Sequence, residues 1–300
     1  MMSAARAPAS SPLFRADPRL RRRKAANRGM EALATLAALS AVAVLGIVIV
    51  SVLLKGVSAI NLDFFVHSEV PFGQKGGGIA NAIVGTVELV ALASAIAVPL
   101  GILIGIHTSQ FAHPRTAFGV RFVLDVLNGV PTIVTGVFIF GLLVVGHQQS
   151  GWAGAIALAI IMLPIVARSS HEVLALVPQT LIEGALALGA TRWRTVLRIV
   201  LPTAASGMIT GALLAVARVA GETAPLLFTT SIVTQGISTN PGQAIMSIPV
   251  RIFQLAESPS TEQHAEAWAA ALLLILSVLL LSVLARWLHA RTSARIGRVS

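Results

Sequence analysis

The 300-residue chain has no cysteine, which excludes structural disulfides, thiolate metal sites and thiol nucleophiles. Charge is also scarce: Asp, Glu, Lys and Arg make up 11% of residues, against about 25% in a typical soluble chain. There is no Walker A phosphate loop and no supported Ser/His/Asp arrangement, so no catalysis is expected of this chain. The seven histidines are scattered, and His67, His113, His171 and His264 read as ordinary surface residues in connections. Apolar surface is what the chain has in excess. Apolar residues account for 55% and the 25 glycines add about 8%, where soluble domains hold both together near 45–50%. One globular core cannot absorb so much apolar surface under so thin a polar cover, so most of the chain faces lipid.

Six stretches are long and apolar enough to cross a hydrocarbon layer of roughly 30 Å, which takes about 20 residues. They are Ala32–Leu54, Ile79–Ile106, Val120–Gly146, Gly151–Ala167, Thr203–Val233 and Ala267–Ala285. None alternates as a membrane barrel strand would, so the expected fold is all-α: a polytopic membrane protein of six transmembrane helices. The first stretch is too long for the roughly 7–15-residue core of a signal peptide, and no cleavage site follows it before Lys55. Residues 1–31 are expected to be a disordered basic tail, 32–288 the six-helix domain, and 289–300 a second tail.

The cations set the orientation. Eight Lys and Arg lie in the N-terminal tail, two between spans two and three, four between spans four and five, and four in the C-terminal tail. That is 18 on one side, against Lys55, Lys75 and Arg251 on the other. Both termini are therefore expected in the cytoplasm. Topology alone explains the formal charge of +10, so no nucleic-acid partner is expected.

Four ionisable residues remain inside spans: Glu88, Asp125, Arg218 and Glu222. Each costs about 2.5–3.5 kcal/mol at the bilayer centre on insertion scales, so each is a candidate for function. Asp125 either lines a path or pairs with Arg121 one turn away at headgroup level. Glu88 either faces substrate or bonds another span. Arg218 and Glu222 are spaced to share a helix face and neutralise each other, either as a packing pair or as a polar face on a translocation path. Gly221 and Pro225 bracket Glu222 and should break the helix there; irregular backbone at membrane depth needs a protein or water lining. A guanidinium on such a path favours an oxyanion, whose oxygens match its planar fork of donors. A second break is expected at Asn128-Gly129-Val130-Pro131-Thr132, exposing Asn128 and Thr132 to a cavity.

The connection 168–202 has its own pattern. Leu181, Ala185 and Leu188 form a helical stripe, and Gly189 stands where a helix end favours a left-handed residue. Thr191 can then cap a second short helix, Arg192–Val200. Without a partner, this knob would rest on lipid headgroups through Arg192, Arg194 and Arg198.

Glu183-Gly184-Ala185, Gly189, Ile199, Leu201 and Pro202 resemble the EAA loop of ABC importer permeases, E-A-A-x3-G-x9-I-x-L-P, with Gly184 in place of the first Ala. The run from Arg218 to Phe228 is similar to the A-R-x-x-G-E-T-A-P-L segment of phosphate permeases of the PstA type. Asn128–Val134, Arg168 and Leu176-Val177-Pro178 are also similar to that family. The resemblance implies the type I importer fold in a bacterial inner membrane. It implies pairing with a PstC-type permease, two PstB-type ATPase subunits and an extracytoplasmic phosphate-binding protein. ATP and Mg would bind those ATPases, with no cofactor in this chain. The knob would dock on the ATPase and pass its movement to the spans. The competing readings are a sulfate or molybdate permease, a secondary anion transporter driven through Glu88 and Asp125, and a non-transporting assembly subunit.

Overall fold

The computed structural model describes residues 18–69, 77–231 and 236–296. Among them every regular element is a helix, and no strand occurs. Residues up to Ser51 form one compact unit and Val52–Ser300 another. From Pro18 on, the first unit is a stretch of one helix, α1 (Pro18–Val57), whose last residues, 52–57, belong to the second unit. It begins inside the tail expected to be disordered, because residues 19–28 are rich in Arg, Lys and Ala, all strong helix formers. Residues 1–17, the rest of that tail, lie outside the described residues. Leu33, Leu36, Leu39, Val42 and Ile47 are all exposed on α1, as suits a helix apolar all round.

The second unit continues with α2 (Leu62–Val66), α3 (Ala80–Ile106), α4 (Pro114–Gly129), α5 (Thr132–Ile139) and α6 (Gly151–Ala175). After these come α7 (Gln179–Ala187), α8 (Arg192–Thr195), α9 (Leu201–Val219), α10 (Ala224–Thr229), α11 (Ile248–Ala256) and α12 (Thr261–Ile296). Among the described residues, five helices are long and apolar enough to cross a membrane, and the third expected span is a bent pair, α4 and α5, meeting at 94°. α12 runs on to Ile296, through most of the separate tail expected at 289–300.

The core is built on close backbone approach. Leu89, Ala93, Ala97, Gly101 and Gly105 recur every fourth residue of α3 and are all buried. A Cβ at Gly101 would lie 2.8 Å from the Val166 Cβ, and one at Gly105 would lie 2.6 Å from the Ser170 Cβ. Small residues thus let α3 and α6 touch along their length, which is how helices gain dispersion energy where lipid removes the hydrophobic drive. Met162, Val166, Ala215, Val219, Ala269 and Ala270 complete this core from α6, α9 and α12.

α8 and α9 are one continuous helix, Arg192–Val219, so the fifth span starts earlier than Thr203. A π-helical turn at Val196–Val200 joins them, with the Leu201 N–H donating to the Val196 carbonyl. Pro202 explains the turn: it has no N–H to give Arg198, and its ring crowds that carbonyl in a regular helix.

One buried hydroxyl ties α10 to the segment before α11. Thr230 Oγ1 donates to the Ile245 carbonyl at 2.9 Å and accepts from the Ile245 N–H at 2.7 Å. Thr230→Val keeps the shape and orphans both groups, each worth about 1–3 kcal/mol when buried unpaired. Thermal unfolding in detergent should show a clear drop for Thr230→Val and near-native stability for Thr230→Ser.

Candidate translocation site

Two helix breaks face one cavity. α4 stops at Gly129 because the ring of Pro131 bars Val130 from helical geometry; both residues are extended (ψ 127° and 133°) and α5 restarts at Thr132. α9 stops at Val219, where the Gly221 and Glu222 N–H groups turn back to the Arg218 and Val219 carbonyls. Between the breaks lies a cavity of about 290 Å³. Asn128, Thr132 and Thr135 line it from the α4–α5 break, Ile160, Ile161 and Ile165 from α6, and Arg218 from α9. A neighbouring cavity of about 540 Å³ shares Leu127, Val130, Thr135 and Ile160 and is otherwise apolar, with Phe138 and Leu163 in its wall. The polar groups therefore sit on the Arg218 side of a largely apolar hollow.

Arg218 and Glu222 do not pair. Arg218 has no ion pair or side-chain hydrogen bond with any described residue. The expected i,i+4 contact requires an unbroken helix, and the turn at Ala220–Gly221 carries Glu222 off the face that Arg218 occupies. Glu222 is half-buried and outside the cavity lining. A guanidinium left exposed beside two hydroxyls and a carboxamide is a donor-rich wall suited to an oxyanion.

The other two intramembrane acids lie elsewhere. Glu88, on α3, is half-buried, with Oε2 buried and unpartnered among the described residues, and it does not line the cavity. Asp125 pairs with Arg168 of α6 at 2.7 Å rather than with Arg121, and Arg168 also meets Glu172 at 3.1 Å. The partner comes from another helix because α4 and α6 pack together there. Arg121, Asp125, Arg168, His171 and Thr108 line a separate polar cavity of about 220 Å³. His171 is thus no loose surface residue: it is half-buried on α6, with Nδ1 3.1 Å from Thr108 Oγ1.

In the loop, Gly189 has φ +83°, the left-handed conformation that a glycine after a helix end supplies. Thr191 occupies the cap position, but its hydroxyl makes no capping bond; its carbonyl accepts from Thr195 instead. The inward face of α7 is Ile182 and Ala185, not the expected stripe, while Leu181 and Leu188 are exposed, Leu188 to 91%. Glu183 and Gly184 are exposed as well. Val196, Val200, Leu174 and Ile106 form a packed cluster under the loop, with Ile182 and Leu201 against it. Ile199 is half-buried and Pro202 exposed at the start of α9. The loop is therefore seated on the ends of α3, α6 and α9.

A buried charged cluster lies outside every residue set expected from the sequence. Arg251 of α11 meets Glu69 at 2.7 Å and Glu266 of α12 at 3.4 Å, with about a tenth of Arg251 and Glu69 exposed. Its one local signal is in Ile248–Ala256, where Arg251 is the lone charged residue of a short, mostly apolar helix.

Helices packed through small residues, two of them broken beside a cavity lined by Arg218, are the architecture of a polytopic membrane protein. The chain belongs to the family of binding-protein-dependent transport system inner membrane components, whose family model matches residues 97–297. Within that family it is similar to the phosphate transport system permease protein PstA of Yersinia pestis, 44% identical over 81% of this chain and 83% of the relative. The protein of that name from Haemophilus influenzae is 40% identical over 80% of this chain and 85% of the relative. The fold matches a chain of a bacterial alginate ABC transporter in complex with its alginate-bound periplasmic protein, with a TM-score of 0.65 and 14% identity. That match spans 91% of this chain and 98% of the other, so the type I importer architecture expected from the EAA resemblance is the observed one.

Proposed function

We propose that this chain is a permease subunit of an ATP-driven importer of inorganic phosphate. The observation that carries the reading is the convergence of Arg218, Asn128 and Thr132 on one cavity at two helix breaks. A phosphate entering there meets a fixed cation whose charge no described carboxylate neutralises. The similarity to PstA permeases supplies the substrate, since a guanidinium binds sulfate and molybdate equally well.

On this reading a second permease of the PstC type lies beside this chain and completes the path. The exposed Leu181, Glu183 and Leu188 of the EAA loop dock on a PstB-type ATPase, which holds the ATP and Mg. Nucleotide-driven closure then moves the ends of α3, α6 and α9 through the packed cluster beneath the loop. An extracytoplasmic binding protein delivers phosphate to the opposite face. The 18-to-three split of cations supports a cytoplasmic location for the loop and both termini.

Co-purification from detergent tests this. The chain should be recovered with an ATPase whose turnover rises with phosphate-loaded binding protein. Glu183→Ala should leave the assembly intact and remove that stimulation. Phosphate uptake that persists without any ATPase would defeat the reading in favour of a gradient-driven carrier.

A further inference from the structure

At the end of the bundle opposite the EAA loop, three chain segments meet in the buried cluster noted above. Glu69 follows α2, Arg251 lies on α11 and Glu266 at the start of α12. Two carboxylates share one guanidinium, so the fully ionised cluster has a net charge of −1 in a place water barely reaches. An uncompensated buried charge is costly enough that such a site takes up a counter-charge.

The unused hydrogen-bonding atoms show where that counter-charge belongs. Glu69 Oε2 accepts from Arg251 Nη1, while Glu69 Oε1 is buried with no geometric hydrogen bond to any described residue. Asn81, 6% exposed at the start of α3, lies within hydrogen-bonding reach of Glu69, and its buried side-chain polar atoms have no other partner among the described residues. Oε1 beside a carboxamide can be satisfied in either state: ionised, it accepts from Asn81 Nδ2–H, and protonated, its O–H donates to Asn81 Oδ1. Only the second also removes the cluster's excess negative charge. Glu266 is the less suited acid: it is more exposed, and none of its oxygens is both buried and unpartnered among the described residues.

We infer that the Glu69–Arg251–Glu266 cluster is a proton-binding site, with one proton held on Glu69 Oε1 against Asn81 when the protein is folded. The proton balances the cluster and locks α11 to α12 and to the segment after α2. Desolvation pushes the Glu69 carboxyl up from its ordinary value and Glu266 pushes the same way, while Arg251 and Asn81 oppose them. The nearby ionisable pair on α2, Asp63 and His67, is exposed and bonded to itself.

The sign of the pH dependence follows. The folded chain keeps this proton above the pH at which the unfolded chain loses it. This site's contribution to stability is therefore greatest at or below the ordinary carboxylate value, falls as pH rises through the window up to the raised value, and is flat beyond it.

Infrared spectroscopy of the purified full-length assembly tests the site at neutral pH. Wild type should show the C=O stretch of a protonated carboxyl group that is missing from Glu69→Gln. Glu266→Gln should lose the same band although Glu69 is still present, because one carboxylate and one guanidinium balance without a proton. A merely structural triad would not couple the two positions in this way. A wild type without the band, or a band that survives Glu266→Gln, overturns the proposal. So does a missing band together with a thermal midpoint raised by sodium over choline in wild type but not in Glu69→Gln, which would put an inorganic cation there. Should Glu266→Gln fail to assemble, the difference between wild type and Glu69→Gln decides alone.

Discussion

Replacing Arg218 with Ala is expected to abolish phosphate uptake while the assembly still purifies intact. In this cavity the guanidinium can give two parallel charge-assisted hydrogen bonds to an oxyanion, each worth about 1.5–3 kcal/mol. Losing both removes about 3–6 kcal/mol of anion stabilisation, roughly a 10²–10⁴-fold fall in uptake at limiting phosphate. Assembly should be spared, because Arg218 bonds to no described residue of its own chain. Arg218→Lys keeps the charge without the planar fork and should retain part of the activity. Glu222→Gln should change uptake only a few-fold, since Glu222 is neither paired with Arg218 nor in the cavity wall. Labelled-phosphate uptake, set beside co-purification yields, checks all three. Uptake by Arg218→Ala within twofold of wild type would remove Arg218 from the path.

The contrast between Arg218 and Arg251 shows how far the sequence can be read. Both are cations flanked by apolar residues. Arg218 stands out because Gly221 and Pro225 advertise a helix break nearby, and broken helices line cavities. Arg251 reads as a loop charge because its helix is only nine residues long and its acids come from positions 69 and 266. Such distant partners leave no trace in local spacing. The same limit explains Asp125, whose nearest cation in sequence is Arg121 and whose partner in space is Arg168. The spans, both breaks and the left-handed Gly189 are legible because hydrophobic run length, proline and glycine act locally. The Arg218–Glu222 pairing fails for the same local reason: the turn that marks the site also destroys the i,i+4 geometry on which the pairing relies.

The two broken spans that flank the site pack against each other through α5 and α10. Gly136 of α5 lies against Pro225 of α10, and a Cβ there would come within 2.6 Å of the Pro225 Cα and 3.1 Å of its carbonyl oxygen. Backbone atoms of a proline cannot rotate aside as a side chain can, so Gly136→Ala must drive α5 and α10 apart. Overpacking of this kind costs about 1–3 kcal/mol. It also shifts α10 relative to the α4–α5 break, and α10 begins only six residues after Arg218. The cavity wall should lose register with the cation, and uptake should fall at least about tenfold on a shift of that size. Gly129→Ala is the matched comparison from the same cavity wall. No atom lies within 4 Å of its added Cβ and its φ is not positive. Restricting the unfolded chain there should stabilise by about 0.4–1 kcal/mol. The same chemical change is thus expected to have opposite signs at two positions seven residues apart, read by thermal unfolding and uptake together. A Gly136→Ala protein as stable and active as wild type would mean that α10 slides freely over α5, and the site would then need another support.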